Sequence, residues 1–418
     1  MIDVTRLREN LEELKDSLKD RISSEKLQQA HSLDAAWRQK KTKVDDLLAK
    51  RNALAQTARD DENKRQEAKE LKVILERETE DLDNSWKTLQ AILRQIPNVP
   101  DKHTPQGKSE KDNLVIRTLG KQKHFSFKPK DYLQLASATK SFMIEEGVFA
   151  AGSRFSYIGG DAANLEYALL QLAIDTLSQK DFSLVFPPLL LKPELMEGMG
   201  YLDQAGKEEV FFIEKDKLYL VGTSEQSLGA LFANQTLFEK DLPIRCMSFT
   251  PCFRREAGSY GKDVKGILRQ HQFEKIEMFT IATPETSDRE HALILSAQEE
   301  MMKKLKLHYR IVDLCAGDLG LPSSRTFDVE TFMPGQAKGE GEYRETHSTS
   351  NCTDFQSRRL KIRYINSEGK KEFVHTVNGT GFAMQRILIA IFEQYQQKDG
   401  SVSIPTALKK YLPKKSRK

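Results

Sequence analysis

Leu33, Trp37, Val44, Leu47, Leu54 and Ala58 fall on a roughly 3.5-residue period, and Leu71, Leu75, Leu82, Trp86, Leu89 and Leu93 do the same. Each run carries one apolar stripe, so each predicts a long helix that must bury that stripe against a partner. Between them, Arg59-Asp60-Asp61-Glu62-Asn63-Lys64-Arg65 is polar and offers no apolar anchor. The pattern predicts a long antiparallel coiled-coil hairpin of two α-helices, turning near Asp60 to Arg65. No Gly or Pro occurs between Met1 and Ile96, which removes the two strongest helix breakers. A short helix over Thr5 to Lys19 precedes the pair, with Leu7, Leu11, Leu14 and Leu18 apolar and Thr5 as its N-cap.

The pattern changes at Ile96-Pro97-Asn98-Val99-Pro100, and all 23 glycines and 14 prolines lie from Pro97 onward. Strand-like alternation follows at Leu218 to Val221, Ile244 to Phe249, Ile276 to Thr280, Tyr309 to Val312 and Phe327 to Glu330. Helical periods interrupt it at Asn164 to Leu177 and Arg289 to Lys306. The expected fold class is α+β: the N-terminal hairpin, then a mainly antiparallel sheet flanked by helices. The expected domains are an arm over residues 1–105 and a second domain over 106–418. A Rossmann pattern is excluded, since no G-x-G-x-x-G follows a strand, and there is no Walker A loop.

Composition adds little to this and removes several alternatives. Charged residues make up 30% of the 418, yet the net charge is only +4. That balance is compatible with a nucleic-acid partner without requiring one. No run of about eighteen apolar residues exists, so no membrane span is expected. The start lacks a basic leader and an apolar core, so no secretion signal is visible and a cytoplasmic protein is expected. Cys246, Cys252, Cys315 and Cys352 form no C-x-x-C pair; reduced packing thiols and no zinc are expected. In the hairpin, acidic and basic residues interleave. Composition does not choose between a solvated coiled coil or dimerisation arm and an arm touching RNA through Arg38, Lys41, Arg51, Lys64 or Arg65.

The densest chemistry lies in Phe253-Arg254-Arg255-Glu256-Ala257-Gly258-Ser259 and then Ile267 to Glu277, which reads as strand, glycine-rich loop, strand. Gly258, Gly261 and Gly266 permit tight backbone geometry. Arg254 offers a planar fork for a phosphate or carboxylate. Phe273 offers a face for a purine, and Glu277 a partner for an ammonium group. From residue types alone, a hairpin with solvated charges is an equal alternative.

As a whole string, this block resembles the second signature motif of the class II aminoacyl-tRNA synthetases, and closely that of the bacterial-type seryl-tRNA synthetases. Asn378-Gly379-Thr380-Gly381-Phe382-Ala383-Met384-Gln385-Arg386 is similar to the third motif, and Phe186-Pro187-Pro188 to the first. Thr223-Ser224-Glu225 resembles the family's T-x-E loop. Tyr343-Arg344-Glu345-Thr346-His347-Ser348 is likewise a family string. The resemblance spans essentially the whole chain, helical arm included.

The resemblance implies ATP-dependent activation of L-serine to seryl-adenylate. The seryl group then passes to tRNA(Ser) and also to tRNA(Sec). It implies that Arg254 holds the α-phosphate and the substrate carboxylate, and Arg386 the γ-phosphate; these two are the catalytic expectations. Glu256 accepts from the adenine amino group and Phe273 stacks on the ring. Arg255 (through its backbone), Arg269, Thr346 and His347 complete the ATP set. Glu345 and Ser348 hold Mg²⁺, with His347 standing where a small serine is common. Thr223, Ser224, Glu225, Arg254, Glu277, Asn378 and Thr380 form the serine set. Pro188 marks the interface of a homodimer. His271 is expected to order its strand rather than act as a base. Gln336 to Glu342 is expected as a loop, either a mobile flap or plain surface.

Overall fold

The computed structural model describes residues 1–57, 62–136, 141–202, 206–257, 263 and 265–414. The chain divides into two compact units, Met1–Val99 and Pro100–Lys418.

Among its described residues the first unit has four helices, α1 (Val4–Glu9), α2 (Leu11–Ser17), α3 (Ser24–Thr57) and α4 (Glu62–Leu93). The single early helix expected over Thr5 to Lys19 is two helices, because Asn10 leaves helical geometry at φ −135°, ψ 47°. Its cap is Asp3, not Thr5: the Asp3 carboxylate accepts the Thr5 amide N–H at 2.9 Å. A carboxylate at a helix N-terminus is favoured by the exposed N–H groups and the helix dipole. α3 and α4 pack against each other as the stripes require. Trp37 and Trp86 meet with ring centroids 4.8 Å apart, and Lys40–Asp81 and Lys43–Glu78 bridge the helices at 2.8 Å. Burial is complete near the base, at Leu27, Ala30, Leu89 and Leu93, where α1 and α2 add a third layer. Farther out, Val44, Leu71 and Leu75 stay buried in the seam while Leu47, Leu54 and Leu82 are half-exposed at its edges. Of the turn expected near Asp60 to Arg65, Glu62 to Arg65 are instead the first turn of α4, whereas Asp60, Asp61 and the Ala58 position lie outside the described residues. Among the basic candidates, Arg38 donates to the buried Asp34, which Arg8 also holds through two hydrogen bonds.

The second unit is built on an eight-stranded sheet: β1 (Leu114–Leu119), β2 (Ser183–Leu184), β3 (Ile244–Phe253), β4 (Gln272–Ala282), β5 (Tyr309–Asp313), β6 (Arg325–Met333), β7 (Glu342–Asn351) and β8 (His375–Ala383). The order is β1-β5-β6-β7-β8-β4-β3-β2. All neighbours are antiparallel except β2 with β3. Helices α5 (Tyr132–Ala136), α6 (Gly160–Ser178), α7 (Ser224–Ala230), α8 (Ser287–Leu305) and α9 (Met384–Gln394) matter most for the site. The main core joins α6, α8 and α9 to the sheet through Leu169, Ile294, Met301, Ile387 and Ile391. Among the described residues, no helix is long and apolar enough to cross a membrane.

β7 and β8 carry little of the apolar alternation that marks a strand, and their site-bearing residues are polar. One face of each lines a polar cavity, so the usual period-two signal is diluted. The loop expected over Gln336 to Glu342 is anchored. Glu393 accepts from the Gly335 amide at 2.8 Å and from Gln336 Nε2 at 2.7 Å. Gly341, at φ +86°, lies where a Cβ would meet the Phe332 ring at 2.2 Å.

Candidate active site

A cavity of about 670 Å³ opens over the centre of the sheet. β3, β4, β7 and β8, the N-terminus of α7 and the start of α9 all contribute to it.

Period-two geometry points Phe273, Lys275 and Glu277 of β4 to one face. Across the ladder, Glu277 lies opposite Thr380 of β8 on one side and Ser248 of β3 on the other. Lys275 forms an ion pair with Glu277 and donates to Thr223 Oγ1 at 2.8 Å; both charged side chains are almost wholly buried. Thr223 is the N-cap of α7, its hydroxyl accepting the Glu225 amide at 3.3 Å. Glu225 accepts three donors: Tyr201 Oη at 2.5 Å, Gln356 Nε2 at 2.7 Å and Asn378 Nδ2 at 3.1 Å. Burial, then the neighbouring Glu277, push the Glu225 carboxyl above its ordinary value. Thr223, Glu225, Glu277, Asn378 and Thr380 therefore share one end of the cavity.

Arg254 closes the middle. Its Nε donates to Gly222 O at 3.1 Å, and its guanidinium lies 5.3 Å from the Phe273 ring centroid. The Arg254 amide donates to His271 O at 2.9 Å, and the His271 ring Nδ1 lies 3.0 Å from Arg254 O, which extends the β3–β4 pairing past the strand ends. Glu256, at φ +53°, accepts from Arg269 Nη1 at 2.9 Å.

At the far end, Arg386 on the first turn of α9 donates to Glu345 Oε2 at 3.0 Å and to Glu345 O at 2.9 Å. Desolvation opposes the charged form of Glu345. The Arg386 guanidinium outweighs it, aided by Arg254 and Lys275, and the carboxyl is held below its ordinary value. Asp328 of β6 faces Ser348 across the ladder and bonds to it. Its Oδ1 is buried without a hydrogen-bond partner. Burial, then Glu345, push its carboxyl well above the ordinary range. The cavity's charges are thus largely cancelled in pairs: Lys275 with Glu277, Arg269 with Glu256, Arg386 with Glu345.

Three expected site residues do not line this cavity. His347 points to the opposite side of β7, buried against Phe382 with ring centroids 5.5 Å apart and its Nδ1 3.0 Å from Thr346 Oγ1. Burial pushes its imidazole down to about 3, so the ring is neutral. Strand alternation explains this: Ser348 faces the cavity, so its neighbour faces away. Ser224 is buried in the first turn of α7. The Arg255 side chain turns to a second cavity of about 290 Å³ shared with Phe211 and His271, with its guanidinium 4.6 Å from the Phe211 ring centroid. Gly258, Ser259 and Gly261 lie outside the described residues.

Sequence reasoning missed Lys275, Tyr201, Gln356 and Asp328. Lys275 was within reach, since it sits two residues from both Phe273 and Glu277 on one strand face. Tyr201 and Gln356 carry no local signal, because only the fold brings them to Glu225.

The fold and this cavity define a class II aminoacyl-tRNA synthetase. The class II core domain model for the G, H, P, S and T enzymes matches residues 210–395, and the seryl-tRNA synthetase N-terminal domain model matches residues 1–100. A serine–tRNA ligase of Dictyoglomus turgidum is 41% identical over 99% of this chain and 98% of its own, and one of Thermobifida fusca is 39% identical over 99% and 97%. The crystal structure of seryl-tRNA synthetase from Pyrococcus horikoshii complexed with ATP superposes with a TM-score of 0.91 at 33% identity, covering 98% of both chains. The chain belongs to the seryl-tRNA synthetase family.

Proposed function

We propose that this cavity activates L-serine with ATP and that the chain then esterifies tRNA(Ser), with tRNA(Sec) as a second acceptor. The observation that carries the reading is the cross-strand pair Glu277–Thr380 in one cavity with Arg254, Arg386 and Glu345. The serine–tRNA ligases among the relatives, and the ATP complex of the Pyrococcus horikoshii enzyme, support it.

In this reading Glu277 and Thr223 take the serine ammonium, while Glu277 and Thr380 take its hydroxyl. Glu225, held by three donors, fixes Asn378 and Tyr201 around that pocket. A pocket that hydrogen-bonds a hydroxyl rejects alanine by roughly 10⁴ or more, because its own polar groups would be left unpaired. Arg254 holds the serine carboxylate and the α-phosphate together. The carboxylate is already ionised at neutral pH, so no general base is needed. Its oxygen attacks the α-phosphorus in line; the bond to the bridging oxygen breaks and pyrophosphate leaves. The terminal ribose hydroxyl of the tRNA then attacks the seryl carbonyl and AMP leaves. Arg254 and Arg386 lower the barrier by meeting charge that builds on the phosphoryl oxygens. Phe273 carries the adenine, and Glu256 and Arg269 edge it.

The donor set also fits Mg²⁺. Among the described residues no cluster of three or more His, Cys, Asp or Glu is gathered for a metal. Glu345 and Ser348 nevertheless offer hard oxygens to the cavity, and Asp328, bonded to Ser348, backs the site. Magnesium characteristically takes one or two carboxylates and completes its shell with phosphates and water. Glu345 and Ser348 would hold it, and it would neutralise phosphate charge.

The arm, residues 1–105 in the sequence reading with Met1–Val99 as its compact unit, serves tRNA binding, and residues 106–418 serve aminoacylation. Recognition by a helical arm rests on RNA shape and backbone contacts. A cytoplasmic homodimer is proposed, with Pro188 at the interface. Exposed Leu184 and Phe186, just before it in the chain, are apolar surface such an interface would cover. The test is ATP–pyrophosphate exchange with a panel of amino acids, followed by charging of bulk tRNA. Exchange that is not stimulated by serine overturns the proposal.

A further inference from the structure

Tyr132, the first residue of α5, is far from the motifs in sequence yet reaches the loop between β3 and β4. It is 4% exposed, and its hydroxyl accepts the Ile267 amide N–H at 2.9 Å. The Leu268 amide also bonds to that oxygen, and the hydroxyl lies 3.5 Å from Lys265 O. Gly266 stands at φ +92°, and a Cβ there would fall 1.7 Å from the Tyr132 oxygen. The glycine is therefore required by the tyrosine as well as by the backbone.

The other end of Tyr132 is also tied down. Its amide donates to Glu393 Oε1 at 3.1 Å, and Glu393 lies two helical turns after Arg386 on α9. Ile267, Leu268 and Arg269 line the cavity wall beside Glu256, and Arg386 Nε lies 3.5 Å from Leu268 O. One residue thus links the helix that carries Arg386, through its amide, to the loop leg that carries Arg269, through its hydroxyl.

We propose that Tyr132 is a positioning residue for the nucleotide: its hydroxyl sets the height of the Lys265–Arg269 leg relative to Arg386, and so sets ATP affinity without touching serine. This rests on the assignment of the Phe273 and Arg386 ends of the cavity to ATP. Burial pushes the phenol up to about 12, so the hydroxyl keeps its proton throughout the assay range.

Tyr132→Phe keeps the ring and removes the oxygen, leaving the Ile267 and Leu268 amides without it. The loss of such a buried acceptor corresponds to about a tenfold effect. In serine-dependent exchange, the KM for ATP should rise about tenfold while the KM for serine stays within about twofold, and kcat should hold within about threefold. A generally loosened fold would instead raise both KM values and lower the melting temperature. ATP binding by calorimetry without amino acid should weaken by the same factor. An ATP KM and Kd within twofold of wild type in the folded variant, or equal rises in both KM values, overturn the proposal. The calorimetric arm needs no serine activity, so it separates failure of this inference from failure of the serine assignment.

Discussion

Lys275→Met removes one half of the buried ion pair at the proposed amino-acid end of the cavity. Lys275 and Glu277 have side chains 8% and 2% exposed, so the remaining carboxylate would be left in a largely dry site. Breaking a buried pair from one side costs about 3–5 kcal/mol. The Pro100–Lys418 unit unfolds with an entropy of about 0.7 kcal/mol/K, taking roughly 2 cal/mol/K per residue. The melting temperature should therefore fall by about 4–7 °C, read by scanning calorimetry. Removing both charges, in Lys275→Met with Glu277→Gln, leaves no orphaned ion. That double variant should be less destabilised than the sum of the two single variants by at least about 1 kcal/mol. On the proposed assignment of the serine ammonium to Glu277, saturating serine should restore part of the lost stability in the single Lys275→Met variant and none in the double. A shift below about 1 °C for Lys275→Met, or strict additivity in the double, would refute the reasoning, because either result means that the pair is effectively solvated.

Arg254→Ala should abolish serine-dependent exchange, since no other described side chain bridges the middle of the cavity from Gly222 to Phe273; retained exchange would remove its assignment. Replacing Leu27 to Leu93 by a short linker should spare exchange and eliminate tRNA charging, and unchanged charging would show that the arm is not the recognition element. Two buried histidines should make the fold acid-sensitive: burial pushes His347 down to about 3 and His291 down to about 4. The unfolded chain takes up these protons near pH 6.5 and the folded chain does not, so their contribution is complete above pH 6.5 and is lost as pH falls towards 4. Each adds a slope of about 1.4 kcal/mol per pH unit in that window, and denaturant titrations of His347→Phe should show one share fewer.

Much of this protein was legible before folding. The apolar stripes forced two long helices to pair, because a single stripe on a charged helix has no other way to leave water. Residue chemistry around Phe253 to Glu277 suited an anion- and purine-handling hairpin no better than a solvated one, and the resemblance chose between them and extended the site to Glu345, Thr380 and Arg386. What stayed hidden depended on neighbours distant in the chain. The β7 and β8 strands lost their apolar rhythm because the cavity takes one of their faces. The His347 side chain left the site because alternation gives that face to Ser348. Lys275 was visible on its strand but gained meaning only when Thr223 arrived from α7. Tyr201 and Gln356 reach Glu225 from 24 and 131 residues away, and Tyr132 reaches Ile267 from 135. Sequence alone determined which groups carry the charges, hydroxyls and rings that the resemblance assigns to phosphate, adenine and serine, since side-chain chemistry is local. Only the tertiary structure decided which of them meet, which charges cancel and what holds them in place, since burial and register are properties of the whole sheet.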